Sequence, residues 1–245
     1  MSTSGSSCES NSCILCESTA VSAYHSDKRR DYFKCSMCHL VFVPLHQHLS
    51  CDDEKAEYDK HENNVSDIGY LRFLSRVGKP LLAALGKLEK AEEFGTVSND
   101  KPLIKPAHKS NANLSGLDFG CGPGPALATE LNRLGIDTDV YDIYYYPNSD
   151  KLNNKYDFVT CTEVVEHFNQ PKASLPILLQ LIKPGGIIAI MTKLVIDQDR
   201  FAHWHYKNDQ THVSFYSKET FEWIAQQFGF SVEFVDKDVI FLHKQ

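Results

Sequence analysis

No run of eighteen or more apolar residues occurs in the 245-residue chain, so nothing in it reads as a membrane-spanning helix. Residues 1–12 are polar and serine-rich and lack the apolar segment of a secretory signal. A cytoplasmic protein with no membrane partner is therefore expected. An excess of basic charge is also missing: 25 Lys and Arg stand against 32 Asp and Glu, for a formal net charge of -7. Binding along a phosphate backbone needs clustered cations, so RNA is not favoured as a partner, although a local basic patch stays open. Internal repeats are absent as well. What is present, 42% hydrophobic and 23% charged residues, is the composition of an ordinary globular chain and excludes disorder throughout.

Eight cysteines in a chain without an export signal are not expected to form a disulfide framework. Cys8, Cys51, Cys121 and Cys161 stand alone, but the other four form two knuckles, Cys13-Ile-Leu-Cys16 and Cys35-Ser-Met-Cys38, with eighteen residues between them. That spacing matches a tetrahedral zinc site in which four thiolates sit about 2.3 Å from the metal. With every position filled by Cys13, Cys16, Cys35 and Cys38, water has no place on the metal, so its role is structural. Cys35-Ser-Met-Cys38-His39 also fits a haem attachment motif, which would require export. Tyr32, Phe33, Leu40, Val41 and Phe42 supply apolar surface beside the second knuckle. Residues 1–51 are thus read as a small zinc ribbon.

Residues 52–113 read as a helical segment and linker. Leu71, Leu74, Leu81, Leu82, Leu85 and Leu88 recur near helical spacing and predict two helices broken at Pro80. Residues 58–64 read as a solvated helix face rather than a lid. From residue 89 the chain turns polar and leads into residues 114–245, where predicted strands (114–119, 138–141, 156–161, 187–191) alternate with helices (125–134, 171–182, 217–228). Such alternation predicts an α/β fold with a mostly parallel, Rossmann-like sheet. Strands at 231–235 and 239–243 are joined only by Asp236-Lys237-Asp238, which requires a C-terminal antiparallel hairpin.

The segment Leu117-Asp118-Phe119-Gly120-Cys121-Gly122-Pro123-Gly124-Pro125 lies where a strand ends and a helix begins, with glycines where the backbone turns and must approach a ligand. Asp142, at the end of the next strand, is placed to take both hydroxyls of a ribose. The spacing Gly120-x-Gly122-x-Gly124 differs from that of dinucleotide binders, whose third glycine comes one residue later beside a pyrophosphate. S-adenosylmethionine has no phosphate.

Together with Asp142, the run from Tyr156 to Phe168 that contains Cys161-Thr162-Glu163-Val164-Val165-Glu166-His167, and Lys183-Pro184-Gly185-Gly186, this turn resembles the successive motifs of class I S-adenosylmethionine-dependent methyltransferases. The nearest flavour is the small-molecule branch that includes the O-methyltransferases of ubiquinone biosynthesis. The resemblance implies a seven-strand-type sheet, with Asp118, Gly120, Gly122 and Gly124 lining the methionine end of the cofactor. Asp142 would bind the ribose, and Cys161 and Thr162 would lie along it. One departure stands out: little chain separates Asp142 from Tyr156, too little for the family's third strand, and Leu152 takes the place beside the adenine. A zinc ribbon ahead of such a domain resembles both ribosomal RNA guanine methyltransferases and bacterial enzymes acting on sugars or other small metabolites.

Residues 201–216 (Phe201-Ala-His203-Trp204-His205-Tyr206-Lys207-Asn208-Asp209-Gln210-Thr211-His212-Val213-Ser214-Phe215-Tyr216) are dense in groups able to bind or move a proton and follow a parallel strand, where ligand crevices form. His212, in a Thr-His-Val run before the last large helix, and His167, next to Glu166, are the candidate catalytic residues. His203 and His205 are weaker candidates. The expected function is methyl transfer from S-adenosylmethionine to a small-molecule acceptor. The alternatives are an RNA methyltransferase that uses the ribbon for recognition and a cofactor-binding scaffold without catalysis.

Overall fold

The computed structural model describes residues 12–60, 67–96 and 114–245. The cysteine-rich segment supplies β1 (Val21–Ser26), β2 (Asp31–Cys35) and β3 (Val41–Phe42). Helices α1 (Cys51–Tyr58), α2 (Ile68–Ala84) and α3 (Leu88–Glu93) follow. The larger sheet then begins with β4 (Ser115–Phe119), α4 (Ala126–Arg133), β5 (Asp137–Tyr141) and β6 (Tyr156–Thr162). It continues through α5 (Pro171–Gln180), β7 (Ile182–Met191), α6 (Gln198–Ala202) and β8 (Ser214–Phe215). The chain closes with α7 (Lys218–Phe228), β9 (Phe230–Asp236) and β10 (Val239–Lys244).

Six strands assemble in the order β5-β4-β6-β7-β10-β9. The first four are parallel, and β10 runs antiparallel to both β7 and β9, as the short 236–238 connection demands. Among the described residues the sheet has six strands, not the seven of the expected type. Between β5 and β6 lie only a turn bridged at Asp142 and Tyr146 and one 3-10 turn, Ser149–Asn153. A parallel crossover needs a dozen or more residues of its own, so no further strand fits.

Alternation along the strands sorts the core into two layers. Ile187, Ala189 and Met191 of β7, with Val239 and Phe241 of β10, face Leu74, Val77, Leu81 and Leu82 of α2 and Leu127 and Leu131 of α4. Ile188, Ile190, Ile240 and Leu242 face α5, α7 and the cysteine segment. Pro80 does not break the second helix: α2 is continuous through it. Proline forfeits one backbone hydrogen bond, but the buried stripe around it packs on the sheet and outweighs that loss. Ser217 caps α7 in a reciprocal capping box with Thr220, as its position suggests, and Gly229 ends the helix at φ 72°.

The ribbon is not a separate unit. Its three strands need a fourth, and β8 supplies it: β3 pairs with β8 through Val41 with Phe215 and Phe42 with Ser214, giving the order β1-β2-β3-β8. Tyr24, Tyr32, Val41 and Val43 share one cluster with Val195, Phe201, Tyr206, Val213 and Phe215. Among the described residues no helix is long and apolar enough to cross a membrane.

Candidate active site

A cavity of about 810 Å³ opens at the carboxyl ends of β4, β5, β6 and β7, where ligands bind in sheets of this kind. On one side β4 ends in the glycine turn. Gly120 and Gly122 have φ of 75° and 66°, a region that costs other residues about 1–2 kcal/mol, and a Cβ on Gly120 would lie 2.5 Å from a methyl of Val164. The turn is tied to the end of β5 by Asp142. Its Oδ2 accepts from Gly122 N at 3.0 Å, and its Oδ1 accepts from Tyr144 N and Tyr145 N at 2.8 and 3.1 Å. A carboxylate has about four acceptor positions, so one remains for a ribose hydroxyl. Leu152 lines the same end of the cavity.

Asp118 lies under the turn, 4% exposed, and accepts from Thr160 Oγ1 at 2.7 Å. Burial pushes its carboxyl up from the ordinary 3.8 to about 6, against the lowering hydrogen bond from Thr160, with the charge of Asp142 adding to the rise. Between those two values the folded state keeps a proton that the unfolded state has released, so stability falls as pH rises through that window. The full effect is about 3 kcal/mol. Asp118→Asn should remove most of this slope in urea unfolding measured across the window; an unchanged slope would assign it to other groups.

Of the other expected cofactor residues, Gly120, Gly122, Asp118, Asp142 and Thr162 line the cavity, whereas Gly124 and Cys161 do not. Cys161 alternates with Thr160 and Thr162 along β6, so its side chain falls on the opposite face, fully buried in the core against α5 and α7. Gly124 works within the backbone turn, accepting from Ala126 N at 2.7 Å. Thr162 Oγ1 and Glu163 Oε1 are buried with no hydrogen-bond partner among the described residues. Both residues border the cavity, and a buried polar atom without a partner costs about 1–3 kcal/mol unless a ligand satisfies it. Glu163 also holds a positive φ of 52°.

The other side of the cavity is formed by Tyr58, His167, Lys193, Tyr206, Asp209 and His212. His212 is 7% exposed, and its Nδ1 lies 2.8 Å from the carbonyl of Tyr206. A carbonyl only accepts, so Nδ1 carries the hydrogen. Burial pushes the imidazole below its ordinary pKa, leaving it neutral near pH 7 with a lone pair on Nε2. The Asp209 carboxylate stands 3.8 Å from Nε2, placed to stabilise a proton arriving there. The His167 ring lies 4.7 Å from that of His212, and its Nδ1 is 3.2 Å from the carbonyl of Thr211. The two predicted histidines are therefore brought together, while His203 and His205 are exposed and outside the cavity.

Tyr206 and Glu163 were not singled out from the sequence. The Tyr206 hydroxyl donates to Glu166 and lies 3.1 Å from Glu163 Oε2. Glu166 stands behind the cavity wall, fully buried, and burial pushes it up to about 8. The pattern Glu163-x-x-Glu166-His167 was visible, but only the fold separates the carboxylate at the cavity from the one behind it. Glu166, His167 and His212 also bring one potential ligand atom each within 4.8 Å of one another. The solvated-face reading of residues 58–64 is corrected where the structure describes it: Tyr58 lines the cavity. Glu54 of α1 accepts from the hydroxyls of Tyr58 at 2.9 Å and Tyr144 at 3.0 Å, and Asp59 accepts from Tyr145 at 2.7 Å. Residues 61–64 lie outside the described residues.

Away from the cavity, the sulfurs of Cys13, Cys16, Cys35 and Cys38 all lie within 4.8 Å of one another. Cys13 and Cys38 approach to 3.4 Å and Cys16 and Cys35 to 3.5 Å, with no disulfide. A tetrahedron with bonds of about 2.3 Å has sulfurs about 3.8 Å apart, so the donor set fits zinc. The Cys38 thiol donating to Cys13 pulls the latter down to about 5, while burial raises Cys16 to about 11. Four thiolates can share this space only around a cation.

The fold, the glycine turn and the acid at the end of the second strand together define a Rossmann-like cofactor-binding domain of the class I methyltransferase type. The chain belongs to the methyltransferase domain family, whose profile matches residues 72–234. It is 30% identical over 90 residues to the ubiquinone biosynthesis O-methyltransferase of Erwinia tasmaniensis, a match covering 37% of each protein. It is 31% identical over 90 residues to the enzyme of the same name from Escherichia coli O127:H6, covering 37% of this chain and 38% of that one. The matched region thus spans little more than a third of these curated relatives. Among solved structures, an O-methyltransferase family protein from Burkholderia thailandensis aligns with a TM-score of 0.47 at 13% identity, over 78% of this chain and 62% of that one.

Proposed function

We propose that the protein transfers a methyl group from S-adenosylmethionine to a small-molecule acceptor, and that the acceptor atom is a hydroxyl, as the names of the ubiquinone O-methyltransferases suggest. One observation carries this reading: a single cavity joins the glycine turn and Asp142 to a neutral, buried His212. S-adenosylmethionine supplies an already activated methyl on its sulfonium, so alignment of the acceptor contributes much of the rate. Gly120, Gly122 and Asp118 cradle the methionine end, Asp142 and Thr162 hold the ribose, and Leu152 sits beside the adenine. His212 takes the acceptor's proton at Nε2, with Asp209 stabilising the imidazolium, and His167 flanks it.

Zinc bound by Cys13, Cys16, Cys35 and Cys38 holds β1, β2 and β3 together and takes no part in the transfer. Thiolates stay available for it in a reducing compartment, which supports a cytoplasmic location. The division into residues 1–51, 52–113 and 114–245 is kept as a division of roles, with the first and last sharing a sheet.

Incubation with methyl-labelled S-adenosylmethionine and separated small-molecule, RNA and protein fractions of cell extract tests the function. Label should enter the small-molecule fraction. Label in RNA would overturn the acceptor class, and label in none would leave a scaffold. Asp142→Ala is expected to weaken cofactor binding by about 1.5–3 kcal/mol in calorimetric titration; an unchanged dissociation constant would place the ribose elsewhere.

A further inference from the structure

The hairpin between β1 and β2 carries Arg30, which is 6% exposed. Its Nη1 donates to the carbonyls of Gln210 at 3.0 Å and His212 at 2.9 Å, and its Nη2 donates to those of Asp209 at 2.8 Å and Lys207. Four main-chain carbonyls from residues 207–212 therefore converge on one planar cation contributed by the cysteine segment. This stretch is neither regular helix nor strand beyond the short 3-10 turn His205–Asn208, so its carbonyls have no ladder to satisfy them. A guanidinium presents its donors in a rigid fork, and the loop's path is the one that meets that fork.

Neighbouring contacts reinforce the placement. Lys207 Nζ pairs with Asp27 at 2.9 Å, and the same carboxylate lies 3.1 Å from the Tyr32 hydroxyl. Asp27 in turn shapes the hairpin by accepting from the backbone N–H groups of Arg29 and Arg30. Just past His212, Val43 N donates to the carbonyl of Val213, while Val213 N donates to that of Glu166, both at 2.9 Å. His212 is thus held between the Arg30 fork and a strand pairing, and both originate in the cysteine segment.

We propose that Arg30 is a positioning residue for methyl transfer, and that the cysteine module serves to fold residues 207–212 into the acceptor wall rather than to recruit a separate partner. The inference rests on the methyl-transfer reading, but the placement of His212 can be read without any acceptor. Arg30 does not line the cavity; it acts through Asp209 and His212, whose carbonyls it holds. A displacement of about 1 Å at reacting groups can cost on the order of a hundredfold in rate.

The test uses the full chain, metal-loaded and labelled with 13C in histidine, as wild type, Arg30→Gln and Arg30→Lys. Arg30→Gln is expected to keep its metal and its affinity for S-adenosylmethionine, shift the ring resonances of His212, and speed amide exchange across residues 207–213. With the acceptor fraction from extract, transfer should fall about a hundredfold in kcat with little change in KM, and Arg30→Lys should recover part of it. Unmoved His212 resonances together with intact transfer in a metal-loaded Arg30→Gln protein would overturn the proposal. If Arg30→Gln does not fold, Arg30→Lys decides by the same resonances, because it keeps the charge but cannot reach four carbonyls from one plane. Failure of the methyl-transfer reading shows separately, as wild-type protein that labels no fraction.

Discussion

A chain carrying Cys13→Ser and Cys35→Ser together is expected to lose its zinc, its hydrogen-exchange protection over residues 13–43, and its methyl transfer, while still binding S-adenosylmethionine. Removing one sulfur from each knuckle leaves two thiolates, too few for a closed tetrahedral site. Structural zinc in small modules contributes about 10–16 kcal/mol, and a segment of this size cannot bury enough surface to fold without such a staple. The loss spreads because Cys13, Cys35, Cys38, Leu40 and Phe42 share a core cluster with Tyr216, Phe221 and Ile224, and because β8 loses its partner strand. The cofactor half is spared: Gly120 N donates to the Tyr141 carbonyl and Gly122 N to Asp142, bonds that involve no residue of the module. Metal analysis, exchange mass spectrometry, a labelled-methyl transfer assay and calorimetry on one preparation check the four outcomes. Zinc retained at one per chain would overturn the ligand set.

His212→Gln is expected to lower turnover by about 10²–10⁴-fold, the range for losing a general base, with cofactor affinity and melting temperature close to wild type. Glutamine can still donate to the Tyr206 carbonyl that now receives Nδ1–H, so the loop keeps its shape. It cannot accept the acceptor's proton. The rate should rise with pH through the imidazole's titration, which burial moves below the ordinary 6.5, and the variant should lose that limb. If turnover survives, or falls only as melting temperature falls, His212 is a structural residue and His167 becomes the base to test.

The local signals were strong wherever one short stretch carried a complete physical requirement. Two knuckles contain four thiols, enough to close a metal site. The glycine turn needs only its own backbone and the acid that follows the next strand. The hairpin of β9 and β10 follows from a three-residue connection, and the capped start of α7 from Ser217. Even the lack of a further strand between β5 and β6 was foreshadowed by the short interval between Asp142 and Tyr156, because a crossover has a minimum length.

Other features depend on residues far apart in sequence and meet only after folding. The sequence could not tell which face of β6 Cys161 would take, since that depends on a register set by β4 and β7. Nor could it distinguish Glu163 at the cavity from Glu166 behind it, because burial and not residue type separates them. Pro80 was misjudged because a helix propensity penalty of about 3 kcal/mol is local, whereas the packing that overrides it comes from the sheet. The sequence by itself determined the chemistry available here: four thiols for a metal, a glycine turn with an acid for a nucleoside, and a histidine-rich loop. Only the tertiary structure decided how these are joined, because the carbonyls of Lys207, Asp209, Gln210 and His212 are satisfied by Arg30, some 180 residues earlier in the chain, and a hydrogen-bond partner at that distance leaves no periodic trace in a sequence.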